Sequence, residues 1–314
     1  MATEQQRNDV EFKTFDGLTL RGSLYVGPKG GPAVIVNGAF MCPKEIFVDA
    51  IAAWFGRNGL TALVYDARTI GTSDGLPRND LDPQKMAEDN SDAVTFNRLM
   101  NAEQFLQKEG WVDPNRIAIW GFFYSSGIAL EAAAFDKRVK AVIAQGLMPE
   151  WYLNEEDQEE LVARAVEDRA NQLRGDPPGY IPLLNEKGEH LMFFKYLAKM
   201  TPEQKAHLPN WVHGAKKNAP TFKDSLTIQS FYRHAKWKPA NLFTSVSPTP
   251  VMILTPENDE IVPPEYQKSI FDSMRSPLKK FHIVKDRGHS DFLSVDLDEL
   301  LTPQLEFLKE ALKF

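Results

Sequence analysis

Short apolar runs alternate with helical stretches along most of this chain, and that alternation limits the folds open to it. "AVIVN" (33–37), "TALVYD" (61–66), "RIAIWG" (116–121), "VKAVIAQG" (139–146), "PVMILT" (250–255) and "KKFHIV" (279–284) have the length and β-branched content of strands. Between them lie "KEIFVDAIAAWFGRNG", "DNSDAVTFNRLMNAEQFLQKEG", "SSGIALEAAAFD" and "PPEYQKSIFDSM", which have helical spacing; the first two end at glycine. A final helix is expected after Asp296. Strands separated by helices require crossover connections and so a mostly parallel sheet. Near-continuous apolarity within the strands means that both faces of the sheet are covered.

The chain opens differently. "VEFKTF" and "LTLRGSLYV" flank Asp16-Gly17, which predicts a hairpin and an antiparallel start to the sheet. The rhythm also breaks between about residues 149 and 241. That segment reads as helix and loop without a strong strand, and it is rich in aromatics: Phe193, Phe194, Tyr196, Trp211, Phe222, Phe231, Tyr232 and Trp237. The expected architecture is an α/β core formed by 1–148 and 242–314, with a mostly parallel eight-stranded sheet flanked by helices, and a helical cap inserted at 149–241.

Bulk properties exclude several roles. A net charge of −7 gives no footing for nucleic acid or an anionic membrane. Cys42 is the single cysteine, so no internal disulfide can form. No apolar run is long enough to span a bilayer, and "MATEQQRNDV" has no apolar signal core, so the cytosol is the expected location. No clustered ligand spacing points to a metal, and no glycine-rich phosphate loop is present; no cofactor is expected.

Sheets of this kind bind ligands at the carboxyl ends of their strands. Four such ends carry candidate chemistry: Asn37-Gly38-Ala39-Phe40, "WGFFYSSG" (120–127), "PENDEIVP" with Asp259, and "KDRGHSDF" with His289. A loop Asp is commonly only a turn former, and a lone Gly-His only structural. "D-x-x-V-P" after one strand and "GH" after the next, in this element order, match an α/β-hydrolase layout: nucleophile turn, then acid, then histidine. In that layout the oxyanion-hole amides come from Ala39 or Phe40 and from Tyr124. The other histidines (190, 207, 213, 234 and 282) lack such context and read as structural or surface residues.

These motifs resemble the α/β-hydrolase superfamily over nearly the whole chain, and within it the polyketide-transferase and thioesterase-like hydrolases of fungal biosynthetic clusters. "AVIVNGAFMCPKE" is similar to the family's "HG…KE" segment, with Asn37 in place of the usual His. "YDARTIGTSDG" is similar to its "D-x-R-x-x-G-x-S-x-G" loop through Asp66, Arg68, Gly71, Ser73 and Gly75. "DRANQLRGDPPGYIPLL" and "DSLTIQSFYRHAKWKPA" resemble its cap and the approach to the acid-bearing strand. The elbow departs from the family pattern "WG-x-S-x-S-G-G". Phe123 stands at the nucleophile position, and Ser125 matches the second, non-nucleophilic Ser. Arg68 is expected to close its loop on Asp66 or on a backbone carbonyl.

A phenylalanine cannot attack a carbonyl, which leaves three readings. In the first, His289, oriented by Asp259, is a general acid/base without a serine nucleophile, suited to dehydration, isomerisation, condensation or cyclisation of an apolar, polyketide-like carbonyl compound. In the second, Ser125 or an activated water makes the chain an esterase, thioesterase or acyltransferase. In the third, the chain binds a ligand without transforming it. Asn37, Phe122, Met148, Trp151 and Phe231 are the expected pocket residues. The expected partner is a small apolar carbonyl or acyl substrate, with no nucleic acid and no membrane; a homodimer is left open beside a monomer.

Overall fold

The computed structural model describes residues 6–99, 111–150, 155–184, 212–289, 291–292 and 295–314. Eight strands form one sheet in the order β1-β2-β4-β3-β5-β6-β9-β10. They are β1 (Arg7–Lys13), β2 (Thr19–Tyr25), β3 (Gly31–Asn37), β4 (Thr61–Tyr65), β5 (Val112–Phe122), β6 (Ala141–Gln145), β9 (Val251–Pro256) and β10 (Lys279–Val284). Only β2 runs against the others, pairing antiparallel with β1 and β4; all remaining pairs are parallel.

The opening hairpin forms as expected, but its connection is longer than a two-residue turn. Lys13 pairs with Thr19, and residues 14–18 close through Thr14 N–H to Leu18 O and Gly17 N–H to Thr14 O. Gly17 supplies the positive φ (+91°) that this turn needs.

The strands bury both faces, and alternate residues feed two cores. In β5, Ile117 and Ile119 face one core, while Ala118, Trp120 and Phe122 face the other. Helix α1 (Val48–Arg57) and the last helix, α7 (Leu297–Leu312), cover the second core. Helices α2 (Pro83–Leu99), α3 (Tyr124–Phe135) and α6 (Pro264–Ser273) cover the first. The connection after β3 leads outward to β4, and the next returns past β3 to β5. β3 and β5 are therefore neighbours whose following helices lie on opposite faces, a switch point where a crevice opens at the strand ends.

Within 149–241 the described elements include α4 (Glu155–Leu173), α5 (Ile228–Lys236), a helical stretch at 212–218 and a 3-10 helix beginning at Pro239. The segment also contains a two-stranded ribbon, β7 (Tyr180–Pro182) with β8 (Ser225–Thr227), where no strand was expected. Three-residue strands are too short to show an alternating pattern. Phe193, Phe194, Tyr196 and Trp211 lie outside the described residues.

The loop after β4 is held by charge. Asp66, wholly buried, accepts from Lys44 N–H and from Thr72 N–H, both at 2.8 Å, and pairs with Lys44 Nζ at 3.1 Å. Arg68 does not close on Asp66. Its guanidinium forks onto Asp89 of α2 (2.8 and 2.5 Å) and onto Asp16 in the hairpin turn (2.9 and 3.2 Å). Asp66 is already saturated, whereas Asp89 is buried and, among the described residues, has no other cation in hydrogen-bond range. Burial pushes the Asp89 carboxyl up to about 6 despite the guanidinium.

Removing one partner of such a pair strands a buried charge, so Arg68→Ala should cost about 3–5 kcal/mol in urea unfolding. Asp89 has a folded-state pKa above its unfolded value. Its contribution is therefore fully present below about pH 4 and is lost as pH rises through about 6. The deficit of the variant should accordingly shrink as the pH is lowered from 7 toward 5. A deficit that does not change with pH would show that Asp89 is not the group left stranded.

Candidate active site

Gly121, the residue before the last of β5, lies so close to the following helix that a Cβ there would be 2.3 Å from Ser125 O. The chain then turns sharply at Phe123, with φ 48° and ψ −113°, and enters α3 at Tyr124. A non-glycine residue in this region is strained by roughly 1–3 kcal/mol. The strain is held by Phe123 N–H donating to Gln145 O (2.8 Å) and by Ser126 N–H donating to Phe123 O (2.8 Å). This is the geometry that presents a side chain at the tip of a strand-to-helix elbow.

The side chain presented is aromatic. The Phe123 ring lies flat on the His289 imidazole, with centroids 3.6 Å apart and planes 13° apart. It also meets Phe122 at 4.0 Å and Phe292 at 6.0 Å. Gly146, at φ +64°, makes room for it, since a Cβ at Gly146 would lie 2.4 Å from the ring.

His289 and Asp259 come together from the loops after β10 and β9. Nδ1 of His289 lies 3.1 Å from Asp259 Oδ1. Asp259 is over-determined: Oδ1 also accepts from Ile261 N–H (3.0 Å) and Val262 N–H (2.9 Å), and Oδ2 accepts from Gln267 Nε2 (3.2 Å). These donors arise because "DEIVPPEYQ" folds into a tight turn leading straight into α6. An ionised carboxylate can only accept, so Nδ1 of the neutral imidazole keeps its proton and donates it in a hydrogen bond to Asp259, which leaves the lone pair on Nε2. The His289 side chain keeps 12% of its surface exposed.

Neither nearby serine is poised for attack. Ser125 Oγ donates to the Gly38 carbonyl, and Ser126 Oγ donates to the Phe123 carbonyl while accepting from Met148 N–H at 3.1 Å. Ser125 borders a small cavity of about 20 Å³ behind the elbow, together with Asn37, Ala39, Cys42, Asp89 and Asn90. That volume suits about one water.

The expected pocket residues divide. Met148 packs with Ile261 and Val262 in a small apolar cluster joined by the partly buried Phe40, Phe123 and Tyr266. Phe122 is not on that wall. Its side chain points to the opposite face of β5 from the first core and stacks on Trp120. Asn37 also faces inward, donating to Asn90 Oδ1 at 2.8 Å. Phe231 is buried in the first core, and Trp151 lies outside the described residues. Ala39 and Phe40 are half-buried in the loop after β3, and Tyr124 is the first residue of α3. Amides in a helix's first turn have no acceptor within their own helix.

Three participants were not legible as such in the sequence. Glu260 accepts from His289 N–H at 2.7 Å and holds its loop. Gln267 steadies Asp259 and also accepts from Leu147 N–H at 2.9 Å. His234, expected to be structural or at the surface, is buried with Nε2 2.8 Å from the Tyr124 hydroxyl. Among the described residues, no three His, Cys, Asp or Glu side chains gather as a metal site requires, and no helix is long and apolar enough to cross a membrane.

No family model matches the chain. Individual proteins do. It is 40% identical to the polyketide transferase ATR5 of Stachybotrys chlorohalonatus over 98% of both chains. It is 38% identical to a thiohydrolase of Eupenicillium brefeldianum, over 96% of this chain and 94% of that one. Among solved structures, the α/β hydrolase GrgF from a Penicillium species superposes with a TM-score of 0.84 at 36% identity, covering 98% of this chain and all of the other. With similarity end to end and a closely superposing fold, the chain belongs to the α/β-hydrolase-fold family of fungal polyketide transferases and thiohydrolases.

Proposed function

We propose that this protein is an acid/base enzyme acting on an apolar, polyketide-like carbonyl substrate, with His289 as the proton-transfer group and no serine nucleophile. The observation that carries this reading is the Phe123 ring stacked on His289 at the tip of the elbow, beside an Asp259–His289 pair with its hydrogen bonding intact. Ser125 and Ser126 are committed to backbone carbonyls, which argues against a relocated nucleophile.

The chemistry follows from the geometry. Nε2 of His289 removes a proton from carbon next to the substrate carbonyl. The C–H electron pair moves into the new C=C bond and the carbonyl pair onto oxygen, giving an enolate. Backbone amides of Ala39 or Phe40 and of Tyr124 receive the oxyanion. The imidazolium, steadied by Asp259, then returns its proton. Delivered to a β-hydroxyl, it releases water and leaves the unsaturated carbonyl compound. Delivered to the alkoxide formed when the enolate attacks a second carbonyl, it completes a condensation or cyclisation. Phe123 supplies a flat apolar floor, and residues 149–241 form the cap that selects the substrate.

A second reading is one-step acyl transfer. His289 deprotonates a water or alcohol, which attacks the acyl carbonyl directly without an acyl-enzyme; the tetrahedral oxyanion then collapses, the C–S bond breaks, and the imidazolium gives its proton to the departing thiolate. The relatives' names, transferase and thiohydrolase, favour it.

Incubation of a β-keto thioester with the protein in D2O separates the two. Proton abstraction from carbon incorporates deuterium at the α position; acyl transfer consumes the thioester without it. His289→Ala should reduce either activity by about 10²–10⁴-fold, the usual contribution of a positioned general base, and Ser125→Ala should leave it within a few-fold. The opposite pattern would overturn the reading in favour of a serine enzyme.

Fluorophosphonate labelling, read by intact mass, gives a second check. The parent chain should remain unlabelled, and Phe123→Ser should gain one adduct that maps to position 123. An adduct on Ser125 of the parent chain would name Ser125 as the nucleophile.

A further inference from the structure

We infer that His234 is a positioning residue for the oxyanion hole, acting through the hydroxyl of Tyr124 and tying the base of the cap to the residue that follows the elbow. The inference rests on the reading above that amides at 39–40 and 124 receive the oxyanion.

The hydrogen-bond roles can be assigned without ambiguity. Nδ1 of His234 contacts the Ser230 carbonyl one turn earlier in α5. A carbonyl can only accept, so Nδ1 carries the proton. His234 is 2% exposed, and burial pushes its pKa down to about 4, so the ring is neutral near pH 7. Nε2 therefore carries the lone pair and accepts from the Tyr124 hydroxyl at 2.8 Å. The phenol is itself 1% exposed, and a buried hydroxyl needs such a partner.

The same two rings reach the other half of the hole. Phe40 meets Tyr124 edge-on at 5.1 Å and His234 edge-on at 5.8 Å. The candidate donors come from two separate segments, the loop after β3 and the first turn of α3. Phe40, Tyr124 and His234 pack them against one another. Two amides aimed at one oxygen must be held to a few tenths of an ångström.

The anchor is firm. Helix α5 is fixed to the core by Leu81 N–H to Ser230 Oγ (2.8 Å) and Arg233 Nη1 to Asp80 Oδ1 (2.7 Å). Just beyond it, Trp237 Nε1 donates to Glu131 Oε2 of α3 at 2.6 Å, and the Trp237 ring packs on Tyr124 at 5.7 Å. Helix α4 lies against α5. Displacement of the cap base is therefore transmitted to Tyr124, and from there to the elbow.

The test compares Tyr124→Phe, His234→Ala and His234→Gln with the parent chain. Tyr124→Phe removes only the hydroxyl. His234→Gln keeps an acceptor oxygen able to face it. Amide hydrogen exchange is followed by mass spectrometry in peptides covering 38–42 and 121–127, with a peptide covering 257–262 as the internal control. The expected result is that Tyr124→Phe and His234→Ala speed exchange in both hole segments by about tenfold or more and leave 257–262 unchanged, while His234→Gln restores much of the protection. In the same variants, kcat for α-deuteration should fall with KM unchanged, and ¹⁵N NMR should report the Nδ1–H tautomer of His234 in the parent. The inference is overturned if exchange in the two segments does not change, if it rises equally in the control peptide, or if His234→Gln behaves like His234→Ala. If the parent chain turns over no carbonyl compound, the proposed reaction falls, and hydrogen exchange still decides the role of His234.

Discussion

The close approach of β5 to α3 is the constraint on which the site depends. Gly121 has no room for a Cβ against Ser125 O, and Gly127 has none against Met148 O, where a Cβ would lie at 2.4 Å. Between these contacts the chain can pass only through a positive φ, and the residue that takes it is Phe123. The cost of that backbone is offset by parallel pairing of β5 with β3 and β6 on either side. An elbow built this way presents whatever side chain occupies position 123 at the switch point of the sheet. Its geometry is independent of whether that side chain is a nucleophile.

That independence explains how a hydrolase framework persists around an aromatic elbow. Asp259 is held by two backbone amides and Gln267 as well as by His289, so its orientation does not depend on a serine opposite. The His289 loop is fixed by its own backbone through Glu260. Phe123 replaces the hydrogen bond a serine would offer with face-to-face contact, in a space that Gly146 keeps open. The imidazole is thus oriented at Nδ1 and packed on one face. Among the described residues, the side chain that the elbow sets against this histidine is an aromatic ring and not a hydroxyl.

The family-like motifs around the site are mostly scaffolding. Lys44, Thr72 and Asp66 lock the loop after β3 to the loop after β4, and Gly71 lies where any Cβ would meet the Asp66 carboxylate at 2.3 Å. Arg68 joins that loop to α2 and to the opening hairpin. The buried charges in these contacts are paired.

Much of this architecture was legible in the chain itself. Apolar runs of strand length separated by helical periodicity specify a parallel sheet, and they place Asp259 and His289 after consecutive strands, because local pattern and crossover geometry leave few alternatives. The absence of a hydroxyl at position 123 is likewise a fact of sequence. What the sequence left open was every contact made across the sheet or between cap and core. Ser125 reads as a spare nucleophile until its hydroxyl is seen donating to Gly38, 87 residues earlier. Phe122 reads as a pocket residue until the pleat of β5 turns it toward α7. His234 reads as an unremarkable helix residue until folding brings it to a hydroxyl 110 residues away. Periodicity records which way a side chain faces within its own element; which partner it meets depends on how the elements pack, and only the tertiary structure decided that.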